Sequence, residues 1–256
     1  MPLQWLLTKA APRARHVIPQ WFHRALCAAI GVRVAASGFA GAAEPRLIVA
    51  NHLSWLDISA LGSCAPVTFL AKREVADWPV VGRLARLQQC VFVERAQKRA
   101  IPQVNQRIAE SLQAGNTLVL FPEATTGDGN RLLRFSSAHV QAAVNAAKGA
   151  AATAAAEAAS AQRVWLLPVA IIYTRRGGLP YDRITRPAIA WYGDMALLPH
   201  LWDILRDGPI DCELRAGEPL LVTPSTNRKT LTRQAEHAIR LALARGRRPP
   251  APPENL

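Results

Sequence analysis

From Arg46 onwards, short apolar runs alternate along the chain with longer segments in which apolar residues recur at helical spacing. Short runs rich in Val, Ile, Leu and Phe are typical of buried strands. Strands that alternate with helices form a largely parallel sheet with helices on both faces. The pattern therefore predicts an α/β domain over residues 46–245. Its predicted strands are Leu47–Ala50, Val67–Ala71, Cys90–Val93, Thr117–Phe121, Val164–Tyr173 and Ala188–Tyr192.

The residue pattern in the later part of this domain predicts helices and one edge strand. Alanine dominates residues 135–162. Because alanine is the strongest helix former, we expect one or two surface helices there, with a break at Gly149. The alternation over Asp211–Leu220 favours an edge strand. The spacing of apolar residues over Thr226–Ala244 predicts a final amphipathic helix.

The N-terminal segment, residues 1–45, combines aromatic, aliphatic and basic residues. His23, Arg24 and Arg33 interrupt the stretch 17–36, so it lacks the ~20 consecutive apolar residues of a membrane-spanning helix. The apolar residues that recur at helical spacing are Trp21, Phe22, Leu26, Ala29 and Ile30. An amphipathic helix of this kind has two interpretations. It lies among lipid headgroups and docks the protein on a membrane, or it packs on the protein's own core.

The chain is strongly basic. Its 31 Lys and Arg against 18 Asp and Glu give a formal net charge of +13 in 256 residues. Such an excess indicates an anionic partner. The basic residues are interleaved with Trp, Leu and Ile at both ends, and no zinc finger or RNP-type strand is present. We therefore expect an anionic membrane surface as partner and no nucleic acid. The Pro-rich tail, residues 246–256, is expected to be disordered.

The sequence carries no pattern of metal ligands or disulfides. The cysteines are scattered without C-x-x-C or Cys/His spacing, and we interpret them as small buried thiols. The Asp and His residues after Gly193 match no mononuclear metal pattern and favour a solvated amphipathic helix. We expect no metal site, and the absence of a disulfide framework and of a signal-peptide cleavage site favours a reducing cytoplasmic compartment. The residues concerned are Cys27, Cys64, Cys90 and Cys212, and Asp194, His200, Asp203 and Asp211.

The stretch 51–57 places a histidine and a carboxylate directly after the predicted strand Leu47–Ala50. Ligands of parallel sheets collect beyond the carboxyl ends of the strands, where His52 would lie, and imidazole suits proton transfer near neutral pH. Ser54 and Asp57 also have the spacing of a helix capping box, which would explain both residues without catalysis. The two interpretations are compatible, because a carboxylate in the first helical turn can also orient the imidazole.

Four blocks of the sequence resemble the glycerolipid acyltransferases, the family of 1-acyl-sn-glycerol-3-phosphate acyltransferases. The run Asn51–Asp57 is similar to the family's His-x4-Asp signature, and three further blocks follow in the family's order. These are Ala71–Val75 with Pro79, Gly82 and Val91–Arg95, then Phe121–Thr126, then Leu167–Ala170. The resemblance implies an acyltransferase that moves an acyl group from a thioester to the free hydroxyl of a lysophospholipid, with lysophosphatidate as the expected acceptor and phosphatidate as the product.

The resemblance also implies catalytic roles for His52 and Asp57. His52 would act as the general base toward the acceptor hydroxyl, with Asp57 as its orienting partner. The sequence has no Gly-x-Ser-x-Gly nucleophile elbow, so we expect direct attack without an acylated enzyme. Asn51, with the first N–H groups of the helix, would position the reacting carbonyl, and Ser54 is assigned to the substrate site beside it. No cofactor is implied; the donor is acyl-CoA or acyl carrier protein.

Recognition of the acceptor's headgroup is implied for the second and third blocks. Arginine and hydroxyl groups suit a phosphate, whereas a carboxylate cannot bind it directly. We therefore expect Glu123 to orient Arg95, Lys72 or the loop backbone. The residues assigned to this substrate site are Lys72, Arg95, Glu123, Thr125 and Thr126.

Three residues depart from the family's usual pattern. Ala124 replaces a glycine, which costs roughly 1 kcal/mol or more if its φ is positive. Thr126 and Ser136 stand where the family often has arginine and lysine. The acceptor site therefore has fewer cations to bind a phosphate than is usual in the family. Lyso-ornithine lipid is for this reason an alternative acceptor. A catalytically silent, basic membrane protein is the alternative of another class, favoured by Ala124 and opposed by the intact His52 and Asp57. In each case we expect a monotopic or peripheral protein at the cytoplasmic face of a membrane. The resemblance implies a lipid substrate and so favours residues 1–45 as an amphipathic, membrane-docking helical segment.

Overall fold

The computed structural model of the protein describes residues 17–39, 45–78, 81–88, 90–93, 98–157 and 162–247. Its helices are α1 (Val17–Ile30), α2 (Leu56–Cys64), α3 (Val81–Leu87), α4 (Ile101–Gln113), α5 (Gln141–Glu157), α6 (Leu197–Arg206) and α7 (Arg228–Gly246). Short 3₁₀ helices cover Arg73–Asp77, Lys98–Ala100 and Arg186–Ala188. The strands are β1 (Val32–Ser37), β2 (Arg46–Ala50), β3 (Thr68–Lys72), β4 (Val91–Val93), β5 (Leu118–Leu120), β6 (Val164–Arg176), β7 (Leu179–Pro180), β8 (Ile210–Ala216) and β9 (Leu220–Val222).

These strands form one sheet in the order β1-β8-β6-β2-β5-β3-β4. Strands β2 to β6 are parallel to one another, and β8 pairs antiparallel with β6. The short strands β7 and β9 also pair antiparallel with β6. The sheet is therefore largely parallel, with β2 near its centre, and the predicted α/β class is confirmed.

Strand β2 shows why the sheet needs helices on both faces. All five of its residues are buried, and successive side chains point to opposite faces. Leu47 and Val49 join a core packed against α4, α5 and α7. Ile48 and Ala50 join a second core packed against α1, α2 and α6. A continuous apolar run is the expected sequence of a strand that is covered twice.

The predicted strand at Ala188–Tyr192 is wrong. The chain forms a 3₁₀ helix at Arg186–Ala188 and continues as a loop, although Ile189 and Ala190 are fully buried. The backbone N–H of Trp191 donates to the carbonyl oxygen of Leu53 at 2.9 Å. This apolar run is buried by packing across the end of the sheet, which requires no strand pairing.

The predicted helix break at Gly149 is also wrong, because α5 runs through this residue. A Cβ added at Gly149 would lie 1.8 Å from Nε2 of Gln113 on α4. The same Gln113 amide donates to the carbonyl oxygen of Ala146 at 3.3 Å. The glycine therefore allows close contact between two helices and does not end one.

Strand β1 corrects two expectations about the edge of the sheet. It pairs in parallel with β8 over Val32–Ser37, so β8 lies between β1 and β6 and is not the edge strand that was predicted. Residues 1–45 are likewise not a purely helical segment outside the α/β domain, because β1 completes the sheet. Residues 1–16 and 248–256 lie outside the described residues, so the expectations for them stay predictions.

Helix α1 packs against α2 and exposes its other face. The residues of its inner face are Pro19, His23, Cys27 and Ile30. The His23 ring lies so close to Gly62 of α2 that an added Cβ there would be 2.3 Å from Cδ2 of the ring. One face of α1 therefore packs on the protein's own core, as one of the two interpretations of this helix predicts. Membrane contact by the other face stays a prediction. None of the helices in the described part of the chain is both long enough and apolar enough to cross a membrane.

Ala124 occupies a left-handed backbone conformation with φ of 61°. Its N–H donates to the carbonyl oxygen of Phe121 at 3.2 Å, which closes a turn directly after β5. A left-handed conformation costs an L-residue about 1–2 kcal/mol that glycine does not lose. The departure noted in the sequence thus carries the expected strain.

We predict that Ala124→Gly stabilises the protein. Relief of the strain outweighs the larger unfolded-state entropy of glycine, which leaves a net gain of up to roughly 1 kcal/mol. Denaturant unfolding should show a higher midpoint. The control is Ala152→Gly on the exposed face of α5, which should destabilise the protein by about 1 kcal/mol. Equal destabilisation by both substitutions would contradict the strain at position 124.

Candidate active site

The carboxyl ends of β2 and β5 carry the first and third sequence blocks to one edge of the sheet, and the fourth block lies within β6, which pairs with β2. β2 leads into Asn51 and His52, and β5 leads into the loop that contains Glu123. Asn51 links the first of these to β6: its amide nitrogen donates to the carbonyl oxygen of Ile171 at 3.0 Å, and its amide oxygen accepts from the Ile171 N–H at 2.8 Å. Asn51 is therefore a buried backbone partner and not the carbonyl-positioning group that was expected.

His52 is held on two sides. Its Nδ1 atom lies 2.9 Å from Oδ2 of Asp57, and its ring stacks on Phe121 with centroids 4.0 Å apart and an interplanar angle of 12°. The side chain is 17% exposed. Because the carboxylate accepts from Nδ1–H, the ring's Nε2 atom is left to take a proton from a substrate. The predicted pair of His52 and Asp57 is therefore present in the structure.

Asp57 is a fully buried carboxylate that accepts four hydrogen bonds. Its Oδ2 atom accepts from the N–H groups of Leu53 at 2.6 Å and Ser54 at 2.9 Å, as well as from His52. Its Oδ1 atom accepts from the hydroxyl of Tyr173 at 2.8 Å. Asp57 also lies in the first turn of α2, where the helix dipole favours a negative charge.

Only the carboxylate half of the predicted capping box forms. Asp57 accepts from the Ser54 N–H, but the Ser54 hydroxyl has only a marginal contact with the N–H of Leu56, at 3.5 Å. Ser54 is completely buried. It therefore belongs to the start of α2 and not to the substrate site to which it was assigned.

Tyr173 is a member of the site that the sequence analysis missed. It lies on β6, where its hydroxyl donates to Oδ1 of Asp57, whereas His52 bonds Oδ2. Burial, followed by the charge of Asp57, raises its pKa well above the ordinary value, so the hydroxyl keeps its proton and stays a donor. A tyrosine within an apolar strand was the available signal, because a buried hydroxyl needs a partner.

Glu123 braces His52 through the backbone. Its Oε1 atom accepts from the His52 N–H at 2.7 Å, and its Oε2 atom accepts from the Leu133 N–H at 2.7 Å. Both contacts are to backbone N–H groups, which is the geometry expected of a carboxylate that orients the backbone. Burial raises the pKa of this carboxyl from 4.5 to about 7 despite both hydrogen bonds, and the charges of Asp57 and Glu236 add to the increase.

The remaining predicted substrate residues are less completely described. Thr125 is exposed and its hydroxyl donates to the carbonyl oxygen of Thr126 at 3.4 Å, while Thr126 is half-buried. Both therefore lie where a ligand can reach the third block. Arg95 and the side chain of Lys72 lie outside the described residues, so their roles stay predictions.

Two arginines that the sequence analysis did not single out hold the loop that follows the third block. Arg186 donates to the side-chain oxygen of Asn130 at 3.0 Å, and Arg247 donates to the carbonyl oxygens of Gly129 at 2.7 Å and Asn130 at 3.2 Å. Gly129 packs directly on Leu53, since an added Cβ would lie 3.0 Å from its Cδ2 atom. Burial lowers the pKa of Arg247 to about 10, which leaves it charged at neutral pH. These two cations fix the loop beside His52.

A second group of cations lines a cleft of about 250 Å³ at the carboxyl end of β4. Arg73 follows β3, and Arg107 on α4 donates to the carbonyl oxygen of Phe92 at 3.3 Å. Three strand spacings separate β4 from β2 in the sheet, or about 14 Å. The cleft therefore lies along the same edge as His52 but not next to it.

We predict that Glu123 makes stability depend on pH. Its folded-state pKa is raised, so the native carboxyl binds its proton more tightly than the unfolded one. The contribution is fully present below pH 4.5 and is lost as pH rises through about 7, at a cost of up to roughly 3 kcal/mol. Denaturant unfolding at several pH values should show wild type losing stability relative to Glu123→Gln across this range.

The control for this experiment is Glu110→Gln on the exposed surface of α4. It should follow the wild-type pH dependence. A wild-type advantage over Glu123→Gln that stays constant between pH 4.5 and 8 would contradict the raised pKa.

Comparison with known proteins agrees with this geometry. A family model described as Acyltransferase matches residues 31–172. The chain is 44% identical to the lyso-ornithine lipid O-acyltransferase of Brucella abortus over 95% of this chain and 88% of that protein. It is 33% identical to the 1-acyl-sn-glycerol-3-phosphate acyltransferase of Neisseria gonorrhoeae over 77% of this chain and 69% of that protein.

The fold is shared with a solved structure. The crystal structure of the 1-acyl-sn-glycerophosphate acyltransferase PlsC from Thermotoga maritima superposes with a TM-score of 0.65 and covers 91% of this chain and 81% of that one, at 20% sequence identity. The family model covers more than half of the chain, and the Brucella relative aligns with nearly all of it. The chain therefore belongs to the acyltransferase family that includes the 1-acyl-sn-glycerol-3-phosphate acyltransferases.

Proposed function

We propose that this chain transfers an acyl group from a thioester donor to the free hydroxyl of a lyso-ornithine lipid. The observation that carries the proposal is the His52–Asp57 pair, fixed at 2.9 Å where β2 ends and α2 begins. An imidazole oriented in this way has one nitrogen left for a substrate proton. The silent-protein alternative gives no reason for so completely supported a pair.

The reaction follows from the position of this nitrogen. As Nε2 of His52 takes the proton of the acceptor hydroxyl, the hydroxyl oxygen attacks the thioester carbonyl carbon and forms the new C–O bond. The buried charge of Asp57 stabilises the imidazolium that results. When the tetrahedral intermediate collapses, the C–S bond breaks and the imidazolium returns its proton to the leaving thiolate. The products are an ester and a free thiol, and the enzyme is unchanged.

Two observations favour an acceptor without a phosphate. The Brucella relative, named for lyso-ornithine lipid, matches more of this chain at higher identity than the Neisseria relative named for the glycerol phosphate. Thr126 also stands where the resemblance places an arginine, which is the side chain best suited to grip phosphate. The resemblance of the sequence implied lysophosphatidate as the acceptor, and the Neisseria relative keeps that lipid as the second candidate.

The donor and the location complete the proposal. The thioester of acyl-CoA or of acyl carrier protein serves the mechanism equally, because only the carbonyl and the leaving sulfur react. We place the reaction at the cytoplasmic face of a membrane, with the protein bound to the surface. The cysteines support this compartment: Cys27, Cys64, Cys90 and Cys212 are all free thiols.

We predict that His52→Ala abolishes acyl transfer without unfolding the protein. General-base assistance contributes on the order of 10²–10⁴-fold, so the turnover number should fall at least that far while the circular dichroism spectrum and melting temperature stay close to wild type. Asp57→Asn should also lose most of the rate. The control is His237→Ala on the exposed surface of α7, with wild-type activity expected. A folded His52→Ala protein with wild-type turnover would overturn the mechanism.

We predict that the acceptor preference changes when a cation returns to the third block. Purified protein is given an acyl thioester with lyso-ornithine lipid or lysophosphatidate, and the products are identified by mass spectrometry. Wild type should acylate lyso-ornithine lipid faster. Thr126→Arg should raise relative kcat/KM for lysophosphatidate by about tenfold or more, because a charge-assisted hydrogen bond contributes ~1.5–3 kcal/mol. Acylation of lysophosphatidate alone by wild type would overturn the proposed acceptor and preserve the chemistry.

A further inference from the structure

Helix α6 carries a row of exposed apolar side chains. Leu198 is 74% exposed, Trp202 67% and Leu205 47%, and their spacing of four and three residues places them on one face of the helix. The opposite face of α6 packs against the rest of the protein, because His200 and Ile204 on that face are buried. We call the exposed row, Leu198, Trp202 and Leu205, the α6 face. All three side chains are exposed, and large apolar side chains grouped on a surface commonly mark an interaction site.

The α6 face lies beside the catalytic edge. Trp55, three residues after His52, donates from its indole nitrogen to Nδ1 of His200 on α6 at 3.0 Å. At the other end of the helix, Arg176 of β6 donates to the carbonyl oxygen of Asp203 at 2.9 Å. Burial lowers the pKa of His200, in agreement with a neutral ring that accepts from the indole. The Trp55 contact places α6 next to the start of α2, and the Arg176 contact ties it to β6.

Helix α1 presents exposed aromatic side chains on the same side of the protein. Both helices pack on the core that contains Cys27, Leu56 and Ile204, so their outer faces point away from the same face of the sheet. On α1 the outward side chains include Trp21, which is 65% exposed, and Phe22. Tryptophan and leucine on the outer faces of two helices that cover the same face of the sheet suit the boundary between lipid headgroups and hydrocarbon.

We propose that the α6 face docks on the surface of a lipid bilayer and, together with the outer face of α1, holds the catalytic edge against the membrane. This inference rests on the proposed function, because an acceptor lipid keeps its hydrocarbon in the bilayer while its hydroxyl must reach His52. A bilayer is favoured over a second copy of this chain, because three side chains on a ten-residue helix form a patch smaller than a stable dimer needs.

Vesicle binding tests the docking surface without catalysis. The probe is vesicles of equal parts phosphatidylcholine and phosphatidylglycerol, with co-sedimentation of the purified protein as the measurement. Leu198→Gln combined with Trp202→Gln should lower the partition coefficient by about tenfold or more, since each loses buried apolar area. The control is Leu241→Gln on α7, where a leucine 43% exposed lies on the other side of the sheet. It should change binding less than about twofold.

Two further measurements separate docking from the proposed reaction. With a short-chain lyso acceptor dispersed below its critical micelle concentration, the double variant should keep wild-type kcat and KM, whereas with acceptor in vesicles its rate should fall together with binding. No turnover by wild type with any acceptor, with vesicle binding still lost in the variant, would reject the proposed function and leave the docking surface standing. Unchanged vesicle binding by the double variant would overturn the docking proposal. So would a wild-type dimer in vesicle-free solution that the double substitution dissociates.

Discussion

One buried carboxylate connects the fold and the chemistry of this protein. Asp57 has no exposure to solvent and accepts four hydrogen bonds, from two backbone N–H groups, an imidazole and a phenol. A buried charge is tolerable only when it is hydrogen-bonded this completely. The same contacts shape the turn from β2 into α2 and fix the orientation of His52. Capping of α2 and orientation of the His52 ring, which the sequence leaves as two compatible interpretations, are two results of one interaction.

Glu123 holds the same histidine from the other side, through the backbone. The loop after β5 must reverse sharply to bring this carboxylate to the His52 N–H, and Ala124 takes up the reversal with its left-handed φ of 61°. Strain of this kind persists where surrounding contacts over-determine the backbone. The two carboxylates repel each other, and their repulsion adds to the effect of burial on the pKa of Glu123. The two acids around His52 thus differ: Asp57 accepts four hydrogen bonds, whereas Glu123 has a pKa of about 7 and is partly protonated near neutral pH.

The sequence predicts those features that depend on residues close together in the chain. His52 and Asp57 are five residues apart, directly after an apolar run whose burial on both faces is visible in the sequence. Tyr173 and the true partner of Asn51 were not predicted, because these contacts join residues 116 and 120 positions apart. The strand predicted at Ala188–Tyr192 was wrong because apolar composition predicts that a segment is buried but does not specify its secondary structure. β1 was missed because its partner β8 follows almost the whole domain.

The placement of the cations bears on which lipid the site accepts. Arg186 and Arg247 lie next to the third block, but they donate to carbonyl and amide oxygens of the Gly129–Asn130 loop, which packs on Leu53 beside His52. Their charge therefore stabilises the loop that Glu123 also holds through Leu133. With Thr126 in the position of an arginine, the described part of the third block offers a headgroup hydroxyls and backbone in place of a guanidinium fork. Arg186 and Arg247 are therefore committed to the fold of the loop, and the proposed preference for an acceptor without a phosphate depends on the absence of a cation at Thr126.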